Sequence, residues 1–344
     1  MTGHTGFMGG WLSSLLFQLG AKVTGYALKP PTEPSFFEAT SLHDRFTASI
    51  LGDVRDVGGL TEAVRAAAPS VVFHLAAQPL VRRANAEPHL TFETNIMGTV
   101  NLLEAVRACD GVEGALVVTT DKVYRNNNWY WPYRETDRLG GAEPYSASKA
   151  CVEHILDGYR DVYFGMHRQT GPEVGIAAIR AGNIFGGGDW AADRLVPDVA
   201  RAFEAGQPVT LRNPQSTRPW QHVLDPLVGY LSLAEKLCAE PGRFSSGWNF
   251  GPALSDCLAV GAFAEALREA WGGSAEVKVV EDTEIFEERM LALDSAKAEA
   301  ELGWRPRWTL PTAISRTAEW YKAFYTGEDM STLTANQCRE MVDA

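Results

Sequence analysis

Tyr145 and Lys149 form the most reactive pairing in the sequence. They lie four residues apart in Tyr145-Ser146-Ala147-Ser148-Lys149, and on a helix this spacing places both side chains on one face. A lysine ammonium beside a phenol stabilises the phenolate and lowers the pKa of the tyrosine. The spacing therefore predicts a tyrosine that acts as a general base near neutral pH.

A second polar group, Thr120-Asp121-Lys122, directly follows the apolar run that ends at Thr119. In doubly wound sheets, ligands bind at the carboxyl ends of the strands. We therefore expect Thr120, Asp121 and Lys122 to lie in the same site as Tyr145. The alternative interpretation is a simple turn in which Asp121 and Lys122 form a salt bridge.

The chain starts with a glycine-rich turn in which Gly3, Gly6 and Gly9 have the spacing GxxGxxG. Glycines permit a tight turn and let backbone N–H groups approach a pyrophosphate at the start of a helix. The strand that should come before this turn is missing from the sequence. We therefore expect the sequence to begin inside the motif and the sheet to lack its central strand, with unpaired neighbours.

The residues leave the type of dinucleotide open. The second strand ends Tyr26-Ala27-Leu28-Lys29, without the acidic residue that would bind the ribose 2′-hydroxyl. Further along, Asp53 is a candidate partner for the adenine amino group. A turn or a helix cap explains the same Gly52-Asp53-Val54 sequence equally well.

Alternating strands and helices predict the architecture that must position these residues. Amphipathic helices separate the predicted strands, which are Lys22–Tyr26, Val71–Leu75, Ala115–Thr119 and Val174–Arg180. This alternation indicates an α/β fold with a doubly wound parallel sheet. From Gly182 onward, loops rich in glycine, proline and tryptophan predict a smaller substrate-binding lobe. The expected division is a dinucleotide domain of residues 1–180 plus about 222–250, and a lobe of residues 181–221 and 251–330.

Composition narrows the functional classes. The 344 residues are 45% hydrophobic, and Lys+Arg 31 against Asp+Glu 43 gives a net charge of −12. Such an acidic chain is a poor candidate for binding nucleic acid, and no apolar run is long enough to cross a membrane. Five scattered cysteines indicate reduced thiols in a cytoplasmic protein, without a disulfide framework or metal site.

The chain resembles the extended short-chain dehydrogenase/reductase family and, within it, is similar to the CDP-glucose 4,6-dehydratases along nearly its whole length. The segments that carry the resemblance are Thr2-Gly3-His4-Thr5-Gly6-Phe7, Phe73-His74-Leu75-Ala76-Ala77-Gln78-Pro79-Leu80-Val81-Arg82, Thr120-Asp121-Lys122, Pro144-Tyr145-Ser146, Arg180-Ala181-Gly182-Asn183, Gly186-Gly187-Gly188-Asp189-Trp190 and Arg218-Pro219-Trp220-Gln221-His222-Val223. Met8 and Gly10 depart from the family pattern, which has lysine and serine there. Because both residues lie beside the pyrophosphate turn, we expect them to change the affinity for the cofactor rather than the reaction.

The resemblance implies a Rossmann-type fold and an NAD that is reduced and reoxidised within one turnover. Tyr145 would take the proton of the sugar 4-hydroxyl, Thr120 would hydrogen-bond the same oxygen, and Lys149 would hold the nicotinamide ribose. Asp121 would protonate the departing 6-hydroxyl. Lys122 would act on the C5 proton, either as a neutral base or as a cation that stabilises the enolate.

The resemblance also implies the remaining contacts. The residues expected at NAD are Gly3, Thr5, Gly6, Phe7, Gly9, Asp53, Val54, Leu75, Ala76, Ala77, Tyr145 and Lys149. Those expected at the nucleotide-sugar are Gln78, Asn183, Arg194 and Arg218, whereas Arg212 is expected at the surface. Trp190, Trp220 and Trp248 either stack on a base or fill the core. A homodimer is expected through the helices around Asn95–Val106 and Tyr145–Leu156.

Three alternatives share parts of this pattern. A nucleotide-sugar 4-epimerase would use Thr120, Tyr145 and Lys149 but would need no acid and second base after Thr120. A dTDP-glucose dehydratase normally has glutamate where this chain has Lys122. A non-catalytic dinucleotide sensor often lacks the tyrosine or lysine of YxxxK, and both are present here.

Overall fold

The computed structural model describes residues 1–165, 173–211, 213–273, 276–279 and 291–344, so Arg212 lies outside the described residues. The strands are β1 Thr24–Ala27, β2 Ala48–Leu51, β3 Val71–His74, β4 Gly114–Val118, β5 Gly175–Ala181, β6 Asn183–Phe185, β7 Val209–Leu211, β8 Thr217–His222, β9 Gly247–Phe250, β10 Cys257–Ala259 and β11 Val277–Val279. The helices are α1 Phe7–Gln18, α2 Phe36–Ala39, α3 Val57–Ala67, α4 Val81–Ala86, α5 Pro88–Phe92, α6 Gly98–Arg107, α7 Pro144–Tyr159, α8 Leu195–Glu204, α9 Leu224–Ala239, α10 Pro241–Phe244, α11 Val260–Trp271, α12 Ala296–Leu302, α13 Leu310–Thr326 and α14 Met330–Asp343. None of these helices is both long and apolar enough to cross a membrane, as far as the described residues go.

The main sheet is parallel. Strands β3, β4, β5 and β9 pair side by side in this order, and β1 pairs with β2. The four strands predicted from the sequence are confirmed, with ends shifted by at most two residues. Because parallel strands all end at the same edge, the residues that follow β3, β4 and β5 meet there.

The position between β1 and β3 is occupied by the first residues of the chain. Thr2 bridges Tyr26 on one side and His74 on the other. The Tyr26 amide donates to the Met1 carbonyl at 2.9 Å, and the Thr2 amide donates to the Phe73 carbonyl at 2.9 Å. The sequence predicted that β1 and β3 would have no strand between them. Instead, Met1 and Thr2 fill part of this position and hydrogen-bond to both strands over a short length.

Helices cover both faces of the sheet, as a doubly wound fold requires. Along β4, Leu116 belongs to one buried cluster, whereas Ala115 and Val117 belong to the other. This alternation follows from the two-residue period of a strand, which sends neighbouring side chains to opposite faces. Leu12 of α1 and Leu227 of α9 lie in the first of these clusters. Helices α3, α6 and α7 contribute to the second.

Two smaller sheets lie outside the main one. Strands β6, β8 and β10 form the first, with β6 parallel and β10 antiparallel to β8, and β7 pairs with β11 in the second. Trp190, Trp220 and Trp248 are at most 6% exposed and belong to one core cluster. Their burial favours core filling over stacking on a base.

Gly9 and Gly158 allow a matched test of how tightly the first turn is packed. A Cβ atom on Gly9 in α1 would lie 2.1 Å from the Gly3 carbonyl oxygen, whereas one on Gly158 in α7 would meet nothing within 4 Å. In urea titrations, Gly9→Ala should lower the free energy of unfolding by about 1–3 kcal/mol. Gly158→Ala should raise it by up to about 1 kcal/mol. Equal effects at the two positions would contradict this packing.

Candidate active site

The turn before α1 forms a tight backbone cradle of the kind that binds a pyrophosphate. Gly3 has φ +77°, and a Cβ atom there would lie 2.7 Å from the Ala76 amide nitrogen. Helix α1 starts after Gly6, whose backbone is extended, and no side chain caps its first turn. Backbone N–H groups at an uncapped helix start attract anions. The residues present therefore fit the phosphates of a dinucleotide.

The other residues expected at the cofactor lie at the same edge of the sheet. Leu75, Ala76 and Ala77 directly follow β3, and the Ala76 amide donates to the Thr2 hydroxyl at 3.2 Å. Asp53 follows β2, and its carboxylate forms a 2.6 Å ion pair with Arg55. The Asp53 carboxylate also accepts from the Arg55 amide, as in a turn. The turn at Asp53 is therefore confirmed, helix α3 is capped by Asp56 rather than by Asp53, and the contact of Asp53 with adenine stays a prediction.

Thr120, Asp121 and Lys122 form a tight turn at the end of β4. Residues Asp121–Val123 make one turn of 3₁₀ helix, and the Thr120 side chain caps it by accepting a 3.3 Å hydrogen bond from the Lys122 amide. The Thr120 hydroxyl donates to the Asp121 carboxylate at 3.1 Å. Asp121 is only 4% exposed. The turn thus places an alcohol and a carboxylate side by side in a dry environment.

Tyr145 lies in the first turn of α7. This helix starts at Pro144, and the Glu143 carboxylate caps it by accepting from the Tyr145 amide at 2.7 Å and the Ser146 amide at 2.9 Å. Burial raises the pKa of Tyr145 to about 12; the Thr120 hydroxyl and the Arg194 guanidinium oppose this shift, and Asp121 adds to it. These effects on the pKa indicate that Thr120, Asp121 and Arg194 lie near the phenol.

Lys149 lies one turn further along α7. Its ammonium donates a 2.9 Å hydrogen bond to the Val118 carbonyl, at the end of β4. Burial lowers the pKa of Lys149 to about 8, and the negative charge of Glu153 opposes this shift. The sequence led us to expect that Lys149 lowers the pKa of Tyr145, but in this structure burial is the largest effect and the pKa of Tyr145 is raised.

The residues expected at the nucleotide-sugar lie on different elements of the structure. Arg194 starts α8, forms a 2.8 Å ion pair with Asp189 and acts on the Tyr145 phenol. Asn183 lies on β6 opposite Trp220 of β8, the strand that also carries Arg218. Arg194 is close enough to affect the pKa of Tyr145.

The Gln78 side chain is held by hydrogen bonds to the nearby residues Leu80 and Thr91. Its side-chain amide donates to the Thr91 hydroxyl at 2.9 Å and the Leu80 carbonyl at 3.2 Å, and its carbonyl accepts from the Leu80 amide at 2.8 Å. The residue is 5% exposed. Both amide hydrogens are thus used, so a substrate contact would have to replace one of these bonds or use the second lone pair of the carbonyl oxygen, and the assignment of Gln78 to the substrate stays a prediction.

Sequence reasoning missed Glu153. Its carboxylate is 3% exposed and accepts from both Arg180 and Thr119. A signal was present, because Glu153 follows Lys149 by four residues, as Lys149 follows Tyr145. A carboxylate on this buried helix face needs a cationic partner, but the spacing does not tell which one.

Comparisons with known proteins agree with this geometry. The model of the family described as GDP-mannose 4,6 dehydratase matches residues 1–317. The chain belongs to this dehydratase family. The expected family membership and the Rossmann-type fold are both confirmed.

Members of known activity and structure are similar over nearly the full chain. The "CDP-glucose 4,6-dehydratase" of Salmonella typhimurium is 44% identical over 344 residues, which cover 100% of this chain and 96% of that protein. The "dTDP-glucose 4,6-dehydratase" of Streptomyces griseus is 30% identical over 329 residues, 93% of each chain. The crystal structure of DesIV, a dTDP-glucose 4,6-dehydratase from Streptomyces venezuelae with NAD and TYD bound, has a TM-score of 0.77 at 25% identity, over 95% of this chain and 98% of that one.

Tyr145→Phe tests the role of the phenol. The change removes one oxygen from a residue at the start of a capped helix, so we expect the fold and melting temperature to stay close to wild type. Loss of a general base typically lowers the rate by about 10²–10⁴-fold, and we expect dehydration to fall by this factor in steady-state assays. A folded variant that keeps more than about half of the wild-type rate would show that another group removes the proton.

Proposed function

We propose that this chain is an NAD-dependent hydro-lyase that converts CDP-glucose to CDP-4-keto-6-deoxyglucose. The observation that carries this proposal is the Thr120-Asp121-Lys122 turn beside Tyr145, in a chain 44% identical over its whole length to a CDP-glucose 4,6-dehydratase. The reaction oxidises C4, eliminates water across C5 and C6, and reduces C6, so no cofactor is consumed.

NAD would lie on the cradle of Gly3, Gly6 and Gly9, with Asp53 and Ala76 at its sides. A solved structure of a related dehydratase contains NAD, which supports this choice. When bound, NAD accepts hydride from C4 of the sugar and returns hydride to C6. The buried ammonium of Lys149 provides a donor at the end of β4, next to the Val118 carbonyl.

Tyr145 removes the proton from the 4-hydroxyl of the sugar, and Thr120 hydrogen-bonds the same oxygen. A phenol with a pKa of about 12 is a weak base at neutral pH, so positive charge must favour its ionised form. Arg194 already acts in this direction, and the Lys149 ammonium lies on the same helix face one turn away. Both cations therefore assist the proton transfer.

The carbonyl group formed at C4 acidifies the neighbouring C5 proton. Lys122 then acts on C5, either as a neutral base or as a cation that stabilises the enolate. Asp121, hydrogen-bonded to Thr120 at 3.1 Å, protonates the departing 6-hydroxyl as water. An epimerase needs neither step, so the pair Asp121 and Lys122 favours dehydration. Lys122, in place of the usual glutamate, favours the CDP-sugar over the dTDP-sugar.

The nucleotide-sugar would bind between two units of the chain. The NAD-binding domain comprises residues 1–180 with about 222–250, and the substrate lobe comprises residues 181–221 and 251–330. Arg218 has the bidentate geometry suited to a pyrophosphate, and Asn183 and Gln78 are the other candidates for substrate contacts. The pairing of β9 with β5 supports the assignment of residues 247–250 to the NAD-binding domain.

The protein would act as a cytoplasmic homodimer. Met97 is 49% exposed and Phe92 is 36% exposed, next to α6 and α7. Large apolar side chains at a surface favour an interface, and sedimentation of the purified chain at micromolar concentration tests for the dimer. All five cysteines are free thiols, which suits a reducing compartment.

Incubation with CDP-, dTDP-, UDP- and GDP-sugars tests the substrate assignment. We expect CDP-glucose to be converted fastest, to a product lighter by one water, with a catalytic amount of NAD sustaining many turnovers. Mass spectrometry measures the product. In deuterated water, one deuterium should enter at C5. Faster turnover of dTDP- or UDP-glucose would overturn the choice of nucleotide.

Asp121→Asn separates oxidation from elimination. Asparagine has nearly the same size and can still accept from Thr120, but it cannot release a proton as an acid. We expect the 4-keto sugar to form and stall, with near-ultraviolet absorbance of the reduced cofactor rising while the 4-keto-6-deoxy product nearly disappears.

Exchange at C5 provides the control for the Asp121→Asn experiment. Solvent deuterium should still enter at C5 in this variant, whereas Lys122→Met should suppress the exchange and leave oxidation partly intact. The residues are adjacent, so their effects need not add. If Asp121→Asn blocks oxidation as severely as Tyr145→Phe does, Asp121 does not serve the elimination step.

A further inference from the structure

Glu153 and Arg180 form an ion pair in the interior of the protein. Their side chains are 3% and 5% exposed, and two parallel hydrogen bonds of 2.9 Å join the carboxylate to the guanidinium. The pair connects helix α7 to strand β5. Burying two charges is costly and seldom stabilises a fold better than apolar packing would. The pair therefore contributes little to stability beyond what apolar packing would give.

The ion pair holds both ends of the catalytic turn. On one side, the Thr119 hydroxyl, directly before Thr120, donates to the Glu153 carboxylate at 2.7 Å. On the other side, Arg180 donates to the Tyr124 hydroxyl at 2.7 Å, and this hydroxyl donates to Asn249 at 2.7 Å. Residues 120–123 are thus tied at both ends to a single buried pair.

Glu153 is also the charged residue one helical turn after Lys149 in α7. Tyr145, Lys149 and Glu153 follow one another at four-residue intervals, so they share one face of α7. Burial lowers the pKa of Lys149 to about 8, and the Glu153 carboxylate opposes this shift. Burial alone would raise the pKa of Glu153, but Arg180 and Thr119 bring it below its usual value, so the carboxylate stays ionised.

Other ionisable groups on neighbouring elements lie near Lys149 and Glu153. His74, at the end of β3, faces Lys149, but burial lowers the pKa of this histidine to about 3 and leaves it neutral. Arg160, which follows α7, acts on Glu153 from the far side. Glu153 is therefore the anion that acts on Lys149 among the described residues.

Building on the proposed function, we propose that Glu153 is a positioning residue for the reaction. Its carboxylate holds α7 against the turn that carries Thr120, and its charge keeps Lys149 in the ammonium form. Glu153 itself touches neither substrate nor cofactor. It acts through Lys149, Thr119 and Arg180, so its loss should change the protonation of Lys149 as well as the stability of the fold.

Three variants separate these effects. Glu153→Gln removes the charge but leaves the buried Arg180 without an anionic partner, which lowers the stability and can prevent folding. The double variant Glu153→Gln/Arg180→Gln removes both charges and relieves this cost. Glu153→Asp keeps the charge, but its shorter side chain cannot hold Thr119 and Arg180 in the same geometry.

The first measurement follows Lys149 itself, without substrate. In protein labelled with ¹³Cε-lysine, NMR titration gives the pKa of Lys149, with its signal assigned by Lys149→Arg. We expect this pKa to fall in Glu153→Gln, where Arg180 keeps its charge, to fall less in the double variant, which also loses that cation, and to stay close to wild type in Glu153→Asp.

The second measurement is the pH profile of kcat/KM, with whichever nucleotide-sugar the wild type dehydrates fastest. We expect the alkaline limb of this profile to move to lower pH in Glu153→Gln and in the double variant, because Lys149 loses its proton more readily. A shift of one unit lowers the charged fraction of Lys149 near pH 8 about fivefold. Glu153→Asp should keep the wild-type limb but lose kcat, with KM little changed.

Glu340→Gln is the matched control, since it removes a carboxylate that pairs at 2.8 Å with Arg316 on a half-exposed surface. We expect wild-type values for this variant in both measurements. The proposal is overturned if the double variant folds and regains the wild-type Lys149 pKa and activity, or if Glu153→Asp has the wild-type kcat. The choice of CDP-glucose can fail without affecting these results, because neither measurement depends on that sugar.

Discussion

The buried ion pair of Glu153 and Arg180 holds together the elements on which the site depends. The parallel sheet brings the ends of β3, β4 and β5 to one edge, but it does not set the distance from that edge to α7. Two charge-assisted hydrogen bonds help to set it, together with the core packing of α7 and the bond from Lys149 to the Val118 carbonyl, and they extend through Thr119 and Tyr124 to the turn that carries Thr120. Because such bonds are directional, they fix the orientation of this turn relative to α7.

Burial explains the electrostatics of the site. It disfavours every charged form, so it raises the pKa of Tyr145 to about 12 and lowers that of Lys149 to about 8. The same environment strengthens the fields of the charges that remain. Arg194 therefore matters more to the ionisation of Tyr145 than it would in water.

Close backbone approach governs the dinucleotide side of the site. A side chain at Gly3 would collide with the backbone after β3, and one at Gly9 would collide with the carbonyl of Gly3. The turn thus packs against its neighbours without a gap, and α1 starts uncapped at its edge. An anion is the natural partner for such a helix start. The short pairing of Thr2 with both β1 and β3 keeps this turn in the plane of the sheet.

The sequence by itself determined the local features of this protein. Hydrophobic periodicity located the strands, glycine spacing located the dinucleotide turn, and the four-residue interval located Tyr145 and Lys149, because each of these depends on residues close together in the chain. Family resemblance added the dehydratase activity. Only the tertiary structure decided that Arg194 reaches Tyr145, that Gln78 bonds to its own chain, that Arg180 is the partner of Glu153, and that the pKa of Tyr145 rises rather than falls. These outcomes depend on burial and on contacts between distant segments, which no local spacing encodes.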